Sequence, residues 1–86
     1  MNKLTLEHIS GRLIGFLAGE LSLARSGITK DSALTQLGAD SLTLVKTVLF
    51  IEKEFKVSIP DKALTKDNFS SVSGISRCVL KFSGHE

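Results

Sequence analysis

Asp40 and Ser41 hold the position in this 86-residue chain where chemistry is most readily placed. They lie in Leu37-Gly38-Ala39-Asp40-Ser41-Leu42, directly ahead of a segment whose apolar periodicity predicts a helix from about Ser41 to Lys56. Where a loop meets a helix start, unpaired backbone N–H groups point outward and the helix dipole is positive. An anion attached to a serine hydroxyl there would be favoured. The plainer reading is that Asp40 or Ser41 only caps the helix. The other reactive side chains do not converge. His8, His85 and Cys78 lack the spacing of a metal set, so no metal site is expected. Cys78, next to Val79 on a helical segment, reads as a partly buried structural cysteine. His8 reads as a surface residue, and His85 falls in a tail, about residues 83–86, that is expected to be disordered.

The elements that must position Ser41 follow from periodicity and punctuation. Leu6, Ile9, Leu13, Phe16, Leu17 and Leu21 recur at spacings of three and four and predict a first helix from Leu6 to about Ala24. Thr5 is its expected N-cap and Ser26-Gly27 its expected stop. Ile28, Leu34 and Leu37 are too apolar for a solvated linker. The long connection from Ile28 to Asp40 is therefore expected to be pinned to the core, ending at Gly38. Val57-Ser58-Ile59-Pro60 is expected to end the second helix, because the residue before proline is driven out of the helical region. Asp61 to Phe69 has room for one or two helical turns anchored by Ala63, Leu64 and Phe69. Ser70 or Ser71 can cap a last helix through about Phe82, with Val72, Ile75, Val79 and Phe82 facing inward. The fold class is all-α: a small four-helix bundle of three main helices and one short one, with a long loop between the first two.

Composition bounds the rest. At this length a single domain spanning residues 1–86 is expected, with too small a core for an elaborate buried active site. One cysteine excludes an internal disulfide and hence a disulfide-stapled scaffold. Eleven Lys and Arg against nine Asp and Glu leave a formal charge of +2, and the cations are spread without any run of three. That gives no footprint for nucleic acid. The longest apolar cluster, Val48 to Ile51, is far short of a membrane span, and Met1 to His8 resembles no targeting signal. A cytoplasmic location is the expectation.

The stretch from Asp31 to Asp61, DSALTQLGADSLTLVKTVLFIEKEFKVSIPD, resembles the acyl carrier protein family, which includes the peptidyl and aminoacyl carriers. The matching features are Leu34 and Leu37 ahead of the serine, Gly38, Asp40-Ser41-Leu42, the amphipathic helix ending Glu52-Lys53-Glu54-Phe55, and Val57-Ser58-Ile59-Pro60-Asp61. Asn68 to Ile75, NFSSVSGI, is similar to the family's approach to its last helix. The resemblance covers nearly the whole chain. It implies a non-catalytic, free-standing carrier with 4′-phosphopantetheine attached at Ser41, transferred from coenzyme A by a phosphopantetheinyl transferase. The arm would hold an acyl or aminoacyl thioester, with Asp40 positioning the transferase and Leu42 packing beside the arm. The partners implied are that transferase, a loading enzyme and downstream synthases or transferases.

The second helix is apolar over too wide an arc for one core. At about 100° per residue, Leu44, Val48, Ile51 and Phe55 form one stripe and Leu42, Val45 and Leu49 another. The first is expected to be core. The second is expected to be an exposed docking strip, with Lys46, Glu52 and Lys53 in the partner face. Phe50 falls on the polar side, either covering the neighbouring short helix or exposed. Fatty-acid carriers of the family are strongly acidic here. This helix, from Ser41 to Lys56, has three lysines against two glutamates. Charge complementarity sets encounter rate and partner choice, so a dedicated carrier in a specialised pathway is expected.

A helix-turn-helix DNA binder is not expected, because no candidate recognition helix is rich in Arg, Asn or Gln. Gly38-Ala39-Asp40-Ser41-Leu42 is similar to the Gly-Asp-Ser-Leu of a hydrolase family but has an inserted alanine. No Asp-x-x-His pair supplies a base, since Phe82 stands three residues before His85. A carrier-like fold with Ser41 unmodified, serving only as an interaction module, is the alternative. Gly11, Gly15 and Gly19 are four apart and fall opposite the apolar stripe, so they are expected to face solvent and weaken the helix. A dimer through that face is a minor reading beside the monomer.

Overall fold

The computed structural model describes residues 4–83. Three α-helices follow in order: α1 (Leu6–Leu21), α2 (Ser41–Phe55) and α3 (Val72–Ser83). Single 3-10 turns lie at Arg25–Gly27 and Asp61–Ala63. The element expected between Asp61 and Phe69 is thus one tight turn, the minor member of the bundle. No helix among the described residues is long and apolar enough to cross a membrane.

Thr5 caps α1 as expected, its Oγ1 accepting from the His8 N–H at 3.1 Å. The helix stops at Leu21, ahead of the expected Ala24. Ser22 turns left-handed (φ 55°), and the Leu23 N–H reaches back to the Ala18 carbonyl at 2.9 Å. Ser26-Gly27 therefore does not end the helix and sits in the following 3-10 turn. α2 also ends in a left-handed residue, Lys56 (φ 56°). Pro60, four residues on, is not the terminator. α3 begins where the Ser71 hydroxyl accepts from the Gly74 N–H at 3.1 Å. Its last residue, Ser83, lies inside the expected tail, while residues 84–86, including His85, are outside the described residues.

The core is chiefly a seam between α1 and α3. Ile9, Leu13 and Leu17 are fully buried, as are Val72, Ile75 and Val79. Two hydroxyls cross the same seam: Ser10 donates to Ser76 (2.8 Å), and Ser76 donates to the Val72 carbonyl (2.8 Å). Both are buried and both are satisfied. Leu6, expected in the stripe, is exposed. Phe82 is half-buried at the other end. Cys78 is buried, and desolvation raises its thiol above the ordinary value.

α2 is the outer member. Only Thr47 and Ile51 are buried, the Thr47 hydroxyl donating to the Thr43 carbonyl at 2.7 Å. Leu44, Val48 and Phe55, expected as core, are half-buried and pack against it from one side. Phe50 neither covers the short turn nor stands free. Its ring stacks on Phe16 of α1 at 4.4 Å, and Phe55 meets it edge-on at 6.1 Å. An Arg12–Glu54 ion pair (Nε–Oε2 2.7 Å) and a Lys46–Glu20 pair (3.3 Å) tie α2 to α1 outside the aromatic contact. The glycine face of α1 is not uniformly open. The Arg25 side chain folds over Gly15, with Nη2 donating to the Gly11 carbonyl at 3.3 Å, and only Gly19 is exposed.

Candidate functional site

The chain from Ile28 to Asp40 is fixed at several points, and this fixes the start of α2. Ile28 and Leu34 are buried and Leu37 is half-buried. The Leu34 N–H donates to the Ser70 carbonyl (3.0 Å) and the Ser73 N–H to the Lys30 carbonyl (2.8 Å), so the loop is laced to the entry of α3. Gly38 then adopts φ 93°, a conformation that costs little only without a Cβ. That turn lets the Ala39 N–H close onto the Leu34 carbonyl at 3.0 Å. Asp40 emerges extended (φ −114°, ψ −172°), ready to cap.

Asp40 and Ser41 then separate in role. Asp40 Oδ1 accepts from the Thr43 N–H (2.9 Å) and the Thr43 hydroxyl (3.0 Å). These bonds, the backbone one foremost, hold the carboxyl below its ordinary pKa, so it is anionic at neutral pH. Ser41 is the first helical residue, is exposed, and has no side-chain hydrogen bond among the described residues. Asp40 is the cap, and the Ser41 hydroxyl is left available at the positive end of the helix.

Ser41 and Asp40 stand at the edge of a groove of about 700 Å³. Its α2 wall is Leu44, Val45 and Val48, and the opposite wall comes from Leu64 to Ser70 and from Leu34. That explains the half-burial of Leu44 and Val48: their outer flanks line an open groove. Phe69, an expected anchor, is buried at its floor, whereas Leu64 is exposed on its rim. Sequence reasoning counted these residues as core or anchors and missed the groove. The apolar pair Leu64 and Phe69 within a polar segment was the available signal.

On the outer side of α2, Leu42, Val45 and Leu49 are 61%, 55% and 60% exposed, which makes an apolar strip on the surface of the chain. Lys53 is exposed and Glu52 is half-buried. Lys46 is exposed too, but its ammonium is turned toward Glu20 of α1. The arrangement can present a covalently attached group beside an apolar groove. No cluster of metal-ligating side chains exists among the described residues.

Comparison with known proteins bears on that arrangement. Residues 11–79 match the family model described as a phosphopantetheine attachment site. Aminoacyl carrier protein 1 of Bradyrhizobium diazoefficiens is 30% identical over 74 residues, which cover 84% of this chain and 82% of that one. The acyl carrier protein of Buchnera aphidicola subsp. Baizongia pistaciae is 31% identical over 78 residues, covering 90% of this chain and 97% of that one. With a family match across most of its length and relatives of this coverage, the chain belongs to the acyl carrier protein family, whose members are non-catalytic carriers bearing covalently attached 4′-phosphopantetheine.

Proposed function

We propose that Ser41 is the residue that bears the phosphopantetheine arm, and that the protein presents an acyl or aminoacyl thioester to separate enzymes in the cytoplasm. The observation that carries this reading is the division of labour at the α2 start. Asp40 satisfies the cap, which leaves an exposed Ser41 hydroxyl, unbonded among the described residues, at the head of the groove. The residues fit the group. A phosphodiester at Ser41 would lie at the positive helix end, and the apolar groove begins at its root. When bound, the arm supplies the thiol that holds the cargo; the reactivity is the cofactor's.

The chain's own residues do the rest. Asp40 and Thr43 fix the geometry in which a phosphopantetheinyl transferase meets Ser41. Leu42, Val45 and Leu49 form the docking strip, with Lys46, Glu52 and Lys53 setting its charge. Relatives named for aminoacyl and for acyl cargo support either class of thioester here. The test is an intact mass after incubation with coenzyme A and a broad-specificity phosphopantetheinyl transferase. One phosphopantetheine is expected on the wild type and none on Ser41→Ala. No mass gain with several transferases would leave an unmodified interaction module.

A further inference from the structure

We propose that Lys66 makes the groove beside Ser41 selective for an oxyanion carried on the arm. The inference rests on the reading of Ser41 as attachment point and adds to it the charge class of what the groove holds. Lys66 lines the same groove as Asp40 and Ser41 and is the one cationic side chain in its lining. It forms no ion pair among the described residues. The one acid in the lining, Asp40, already accepts two bonds from Thr43. Asp40 stays anionic but is turned to the helix start by those bonds, and the rest of the lining is largely apolar, Leu44, Val48 and Phe69 foremost; low-dielectric walls strengthen the field of a charge in a cleft.

The site is also of ligand size, since small-molecule clefts run from about 300 to 1,000 Å³. A phosphodiester at Ser41 would place a second anion next to the Asp40 carboxylate, and Lys66 is the cation in the groove lining that could offset that repulsion. A carboxylate on the cargo would use the same ammonium. Both sources offer one chemistry, an oxygen anion in an otherwise apolar groove.

The experiment offers free ligands to the isotopically labelled apo-protein and follows the amide signals of residues 64–70. Pantetheine is compared with 4′-phosphopantetheine, and S-acetyl-pantetheine with S-succinyl-pantetheine. At least one anionic member should bind about five-fold tighter than its neutral partner, the size of one unit-charge contact in high dielectric. The preference should vanish in Lys66→Met and persist in Lys66→Arg. A preference in the first pair identifies the phosphate as the source, and one in the second identifies a cargo carboxylate. The proposal is overturned if neither pair shows a preference, if no ligand gives a saturable shift, or if the preference survives in Lys66→Met. Lys66 is exposed, so the variants should keep the wild-type melting temperature. Because the ligands are free, the outcome does not depend on modification of Ser41. A preference with no mass gain at Ser41 would remove the attachment reading alone.

Discussion

The Asp40 carboxylate accepts two bonds from Thr43 and leaves the neighbouring hydroxyl free. Its folded pKa is depressed, so the stability it contributes is present above the unfolded value of about 3.9 and is lost as pH falls toward the lower folded value. Asparagine is an equally good cap but does not titrate. Thermal melts of Asp40→Asn should therefore lose less than the wild type between neutral pH and about pH 3. Equal losses in both proteins would mean that the charge of Asp40 does not contribute. At this scale the sequence was informative, because a cap depends on neighbours within four residues. Thr5 and Asp40 were both legible for that reason. Which of Asp40 and Ser41 would cap was not, since either side chain has the chemistry and only the backbone angles delivered by Gly38 distinguish them.

At the scale of the element, two glycines in helices make opposite demands. A Cβ at Gly19 would meet nothing within 4 Å, while one at Gly74 would lie 2.9 Å from the Asn68 carbonyl oxygen. Gly19→Ala should therefore stabilise by about 0.5–1 kcal/mol through helix propensity. Gly74→Ala should destabilise, because the obstacle is backbone. Urea denaturation measures both. A destabilised Gly19→Ala would show that the face has a role beyond the helix itself. Helix faces were readable from spacing, so the exposed strip of Leu42, Val45 and Leu49 stands where the 100° arithmetic put it. Depth of burial was not readable. Whether Leu44 and Val48 face core or groove depends on how closely residues 64–70 approach. Likewise, Phe50 is covered only because Phe16 of another helix lies over it. The early stop at Ser22 is not legible in the sequence, because serine in place of glycine carries no compositional flag.

For the whole molecule, the net charge of +2 is small, but the face of α2 gives it direction. One of its lysines, Lys46, is held by Glu20. Lys53 and Lys56 remain on the outside of the helix end, where an acidic-faced carrier would offer carboxylates. Encounter with enzymes built around basic patches should be slow, most so at low ionic strength, where screening is weakest. Replacing an acidic fatty-acid synthase carrier with this protein should lower turnover, and added salt should narrow the gap. Turnover equal to the native carrier's would sink the idea of a dedicated partner set.

The fully buried residues lie mostly on α1 and α3, while α2 contributes Thr47 and Ile51 and is otherwise held by half-buried Leu44, Val48, Phe50 and Phe55 and by two surface ion pairs. Stability within a small protein follows such differences in burial, and segments with little of it open locally without global unfolding. The amides of α2 should exchange with solvent hydrogen well before those of α1 and α3, in an order measurable by native-state exchange. A helix that can loosen over an intact two-helix scaffold gives the Ser41 end of the molecule its own, lower free energy of opening. A bulky cargo could then be admitted and released at a cost set by that local opening, with the rest of the fold left closed.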